Sequence, residues 1–143
     1  MCIHKVRCVF VLLAIMILFT ACSQDPATRK AEAFYREYIH VLRNDRANAI
    51  NHCVHYEDPF LYRAAVADVN VPYYCFEMRG IIKLSDSLWA VNAYVESAYR
   101  DEGYMIVNYV GILDGRYQVM VNEEQIPPGL KKDANLGAVI SGD

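Results

Sequence analysis

Residues 110–121 read VGILDGRYQVMV, two alternating runs of apolar and polar residues joined by Asp114-Gly115. A two-residue Asp-Gly loop favours a type I′ hairpin turn, whose twist matches that of the strands it joins. Such a loop also fixes the pairing: Ile112 faces Tyr117, Val110 faces Val119 and Asn108 faces Val121. Upstream, residues 73–85, 88–99 and 104–113 are rich in Val, Ile and Tyr, with short polar breaks at Asp86-Ser87 and at Arg100 to Gly103. With residues 116–126 they form four strands of an antiparallel meander. Carrying the register through each turn places Gly80, Ile82, Leu84, Trp89, Val91, Ala93, Val95, Ile106, Val110, Ile112, Val119 and Val121 on one face, with Asn108 the polar residue among them. Cys75, Glu77, Arg79, Asn92, Tyr94, Glu96, Tyr109, Gln118 and Asn122 fall on the other. The first face meets helices; the second, mixed in polarity, is the more solvated.

The helices lie before Pro72. Ala31, Phe34, Tyr35, Tyr38 and Leu42 recur at the spacing of one buried helical stripe, with charged residues opposite. Asn44 or Asp45 can cap a second helix in which Ala47, Ile50, Cys53 and Val54 share a face. Asp58-Pro59 resembles an N-cap followed by proline at the first helical position and opens a short third helix to about Ala67. The expected fold is α+β: two or three N-terminal helices on a curved four-stranded antiparallel meander over residues 28–128. Past Pro127-Pro128-Gly129 the periodicity is weak, so residues 129–143 are expected to form a frayed tail.

The start of the chain has a different character. His4, Lys5 and Arg7 precede a charge-free run from Cys8 to Phe19, followed by Thr20-Ala21-Cys22. That is the layout of a signal peptide. The apolar run of 12 residues is too short to cross a bilayer as a helix, which takes about 20. LFTAC, residues 18–22, resembles the lipobox of bacterial lipoproteins, which implies cleavage after Ala21 and a diacylglyceryl group on Cys22. Residues 1–21 would then be the signal peptide and 22–27 a lipidated linker. Lipid chains contribute about 0.8 kcal/mol per buried CH₂, so two or more hold a protein stably on a membrane. Localisation follows as the cell membrane or outer membrane with the domain outside the cytoplasm, and Ser23 is compatible with outer-membrane sorting.

The mature chain would keep 122 residues (143 less 21), enough for one domain. It carries 12 basic residues against 17 acidic ones, a balance of −5. An acidic domain without a basic stripe is a poor nucleic-acid binder. Cys53 and Cys75 remain as thiols. Exported proteins often pair such cysteines, and the strand pattern, which turns Cys75 away from the second helix, argues mildly against a bond.

The early helix pair, the short third helix and the meander ending in VGILDGRYQVMVNEEQIP resemble the nuclear transport factor 2-like, cystatin-like folds, and more narrowly small bacterial lipoproteins that carry one such domain. The resemblance implies helices over a concave sheet face with a conical pocket between them. Enzymatic members place an acid/base pair there, often aspartate with histidine or tyrosine. The concave face derived above has no Asp, Glu or His in its strands, a departure from that pattern. Folds of this type host enzymes and binding modules alike.

Within the domain, the candidate pocket residues are Asn108, Tyr35 and Tyr38, since a buried amide needs a partner and a helix-one tyrosine or a ligand could supply it. The candidate surface is Tyr94, Tyr109 and Arg79, with Arg79 stacking on Tyr94 and the face available to a protein partner or a second copy. His52, Cys53, His55 and Asp58 include possible zinc ligands, but no second pair of ligands stands at recognisable spacing, and two surface histidines beside a buried cysteine is the expected arrangement. No cofactor motif and no nucleophile motif is present. The expectation is a lipid-anchored, non-enzymatic domain that binds a protein partner or a small ligand, with a pocket enzyme doing acid/base chemistry on a small hydrophobic substrate through His52 or Asp58 and a tyrosine as the alternative.

Overall fold

The computed structural model describes residues 24–53 and 59–139. Cys22, Ala21, Val54, His55 and Asp58 lie outside them. Helix α1 spans Pro26–Asn44, a short α2 spans Arg46–Ala49 and continues as a 3₁₀ turn over Ile50–His52, and α3 spans Pro59–Val69. Four strands follow: β1 Tyr73–Ser85, β2 Leu88–Ser97, β3 Tyr104–Leu113 and β4 Arg116–Met120. They form one antiparallel sheet in the order β1-β2-β3-β4. The architecture is α+β, with helices N-terminal to an open sheet.

α1 begins two residues earlier than its apolar stripe suggests. Asp25 is the N-cap, its Oδ1 accepting from the amides of Ala27 at 3.0 Å and Thr28 at 3.2 Å, with Pro26 next in the first turn. Both features favour helix initiation. Residues 26–27 therefore belong to the domain and not to the linker. Thr28 then ties the helix to the sheet, its Oγ1 accepting from Trp89 Nε1 at 2.9 Å. α2 is only one turn long; Ile50 and Cys53 reach the core as expected from spacing, but Ala49 is buried in place of Ala47.

The hairpin turn has positive φ at both central residues, 51° at Asp114 and 74° at Gly115, as type I′ requires. Ile112 pairs with Tyr117 and Val110 with Val119. Trp89, Val91, Ala93, Val95, Val110 and Val119 are fully buried beneath α1. β1 departs from the simple register. A bulge between Lys83 and Ser85 pairs Lys83 with Trp89 and Ile81 with Val91, turning Ile82 and Leu84 to the outer face and setting Gly80 against Asn92. A second bulge between Met78 and Gly80 restores the alternation, so that Phe76 and Met78 return to the core. A bulge inserts one unpaired residue, and one residue reverses every side chain beyond it.

The outer face is only half solvated. A 3₁₀ turn at Glu123–Gln125, helix α4 at Pro128–Lys131 and a further turn at Leu136–Val139 fold back across it. Ile126 and Leu130 pack there on Leu84, Leu88, Ala90, Tyr109 and Met120. The tail expected to fray from residue 129 is therefore packed through Val139, and the Asn135 amide donates to the Leu84 carbonyl at 3.0 Å. Gly111 makes the approach possible, since a Cβ there would come within 2.6 Å of Leu130 Cδ1. The tail's small residues lack helical period because they fill a sheet surface, not a helical stripe.

Candidate functional site

α1 closes over the sheet, with the end of α3 beside it, and polar groups enter an apolar interior. Tyr35 and Tyr38 descend from α1 and are both fully buried. Tyr35 Oη donates to Asn108 Oδ1 at 2.6 Å, and Asn108 Nδ2 donates to the Val121 carbonyl at 3.0 Å. Asn108 is thus satisfied from within the protein. Among the described residues the Tyr38 hydroxyl has no partner of good geometry, and the Cys53 thiol is close enough to feel it.

Among the described residues, the half-buried Asp68 near the end of α3 has the most strongly raised carboxyl. Burial pushes it up to about 6, against a weaker opposing hydrogen bond from Tyr73, whose hydroxyl lies 3.5 Å from Asp68 Oδ1. Burial, with the Asp68 charge second, raises Tyr35 well above the ordinary tyrosine value. Cys53 is pushed up to about 12 by burial and by Asp68. A thiol held so far from ionisation is not a nucleophile. A carboxyl titrating near 6 beside a tyrosine hydroxyl has the protonation behaviour of a general acid or base near neutrality.

The other residues of interest separate. His52 is flanked by the rings of Phe34 and Tyr38, with centroids 5.7 and 6.3 Å away, and its Nε2 is 4.0 Å from Glu37 Oε1. Among the described residues no three His, Cys, Asp or Glu side chains converge as metal ligands do. Cys53 is buried under the helices, whereas Cys75 pairs with Glu96 on the opposite face of the sheet; both are free thiols. Tyr94 and Arg79 stay on the open half of the outer face, with the guanidinium 5.3 Å from the ring centroid. Arg79 also reaches Glu77 at 2.8 Å, and Tyr94 donates to Glu96 at 2.9 Å. Tyr109 is not part of a surface. It is 4% exposed, covered by the C-terminal segment.

At the end of the sheet farthest from the start of α1, Tyr74 and Tyr99 are 75% and 74% exposed. Tyr74 lines an open cleft of about 450 Å³ with Glu96, Ser97, Arg100, Asp101 and Gly103. Tyrosine and arginine in the open are the residue types enriched at protein interfaces. Periodicity within strands does not single out Tyr74 and Tyr99, because both stand at strand ends. Asp68 does leave a signal in the sequence: Leu61, Ala65 and Asp68 follow at i, i+4 and i+7, which puts the carboxyl on the buried stripe of α3.

Among known proteins, no family model, no curated sequence and no solved structure matches the chain. Among the described residues no helix is long and apolar enough to cross a membrane.

Proposed function

We propose that this chain is a lipoprotein of the cell envelope, tethered through Cys22, whose single nuclear transport factor 2-like, cystatin-like domain binds a protein partner and catalyses no reaction. The observation that carries the binding reading is that, among the described residues, large side chains fill the inner face. Where the resemblance implies a ligand pocket, Tyr35 and Tyr38 are fully buried and Tyr35 is bonded to Asn108. Recognition then falls to exposed side chains, among which stand Tyr74 and Tyr99, together with the Arg79–Tyr94 pair on the outer sheet face. The tether rests on LFTAC behind a basic start and a charge-free run.

Cys22→Ser tests the tether. It should abolish labelling by a fatty-acid analogue and leave the precursor uncut, and equal labelling of both proteins would remove the anchor from the reading. A photo-crosslinking amino acid at Tyr99 tests the partner in intact cells. One discrete adduct at Tyr99, absent when the probe replaces the half-buried Gln118 of β4, is the expected result; adducts at neither or both positions count against a partner on this end.

Asp68 supports a second reading, acid/base chemistry on a small hydrophobic molecule, because its carboxyl is held protonated to about pH 6 in the interior beside Tyr73. In that reading Asp68 takes the role that sequence spacing gave to His52 or Asp58.

A further inference from the structure

We propose that the domain stands on its membrane by one defined end, formed by the start of α1, the β1–β2 and β3–β4 turns and the C-terminal segment, with Tyr74 and Tyr99 held at the opposite end. The inference rests on the tether at Cys22.

Reach gives the first argument. α1 begins at Pro26 and is capped by Asp25, so four Cα–Cα steps separate its first residue from Cys22. Fully extended, they span at most about 14 Å. The start of α1 is therefore confined to the headgroup region, and whatever packs beside it is confined as well. Lys83 and Asp86 near the β1–β2 turn do so, with Lys83 Nζ 4.0 Å from Asp25 Oδ1 and 2.8 Å from Asp86 Oδ1. The Ile112 amide bonds the Ser87 carbonyl at 2.9 Å, which brings the β3–β4 turn to the same end, and the Asn135–Leu84 bond brings the C-terminal segment.

Charge gives the second. This end carries Arg29, Lys30, Lys83, Arg116, Lys131 and Lys132 against Asp25, Asp86, Asp114, Glu123, Glu124 and Asp133, a balance of zero in a mature chain of −5. The rest of the mature chain thus carries the whole −5. An anionic leaflet repels the second and not the first, which turns a short leash into a preferred orientation. α1 runs roughly 28 Å at 1.5 Å per residue, and its far end lies beside Phe76, whose carbonyl accepts from Arg43 Nη2 at 2.6 Å. The exposed tyrosines beyond that point face away from the bilayer, open to a partner in the aqueous phase.

The test uses the full lipidated chain in vesicles of phosphatidylethanolamine and phosphatidylglycerol, with Cys75→Ser as background and one fluorescent label on either Asp86→Cys or Asp101→Cys. Each substitution removes one exposed carboxylate, so the charge change is matched. A spin-labelled headgroup lipid should quench the label at 86 several-fold more than the label at 101. Equal quenching means that the domain lies on its side, and quenching at neither site in protein that floats with the vesicles means that it is held clear; either result overturns the orientation. Protein that does not float fails at the tether itself, and Cys22→Ser run in parallel identifies that failure.

Discussion

Replacing Asn108 with leucine should cost the fold about 3 kcal/mol, since a buried group left without its partner costs about 1 to 3 kcal/mol and this side chain serves two. The Tyr35 hydroxyl, fully buried, loses its acceptor at 2.6 Å, and the Val121 carbonyl loses its donor at 3.0 Å. For a domain of this size the melting temperature should fall by about 12 °C. The decisive comparison is Tyr35→Phe with Asn108→Leu. Removing both partners leaves no orphaned hydroxyl, so the double variant should recover a large part of the loss, a coupling that single substitutions do not reveal. A single variant that melts like the wild type while cellular activity disappears would instead make Asn108 a ligand contact and reopen the inner face as a pocket.

The bond between Tyr35 and Asn108 shows how far the sequence reaches. Asp114-Gly115 carries its own geometry, and from it followed the β3–β4 pairing and the place of Asn108 on the core face. The stripe of α1 was equally plain and delivered Tyr35 and Tyr38 to that face. Counting failed where the strand itself departs from period two. The bulge between Lys83 and Ser85 comes just before a short polar turn that gives no sign of it, so Ile82 and Leu84 change faces. Tyr109 was lost for a related reason. Its alternation was read correctly, but the segment that covers it lies after two prolines and has no period of its own, so burial there depends on a tertiary contact made at Gly111. Asp25-Pro26 carries the same signal as Asp58-Pro59, and its closeness to the lipobox-like LFTAC places it in the expected linker.

Asp68→Asn should make the protein more stable at neutral pH and almost no more stable at about pH 3. The carboxyl ordinarily titrates near 3.8 and in the folded protein near 6, raised mainly by burial. Between those values the folded state holds a proton that the unfolded state has lost, so stability falls as pH rises through the window. Below about pH 3 both states are largely protonated and the penalty is nearly absent; above 6 it is fully present. The shift corresponds to about 2 kcal/mol once partial contact with solvent is discounted. Asparagine keeps the shape and cannot ionise, so the variant should melt about 8 °C higher at pH 7.5 and close to the wild type at about pH 3. Equal gains at both pH values would mean that Asp68 is not held protonated. The same variant separates the two functional readings. A binding domain that recognises its partner through Tyr74 and Tyr99 should keep its cellular activity when Asp68 is replaced, since both tyrosines stand exposed at strand ends while Asp68 lies in the interior. A catalyst that moves a proton through Asp68 and Tyr73 should lose activity while gaining stability, because a site kept at the expense of the fold is the mark of function and not of packing.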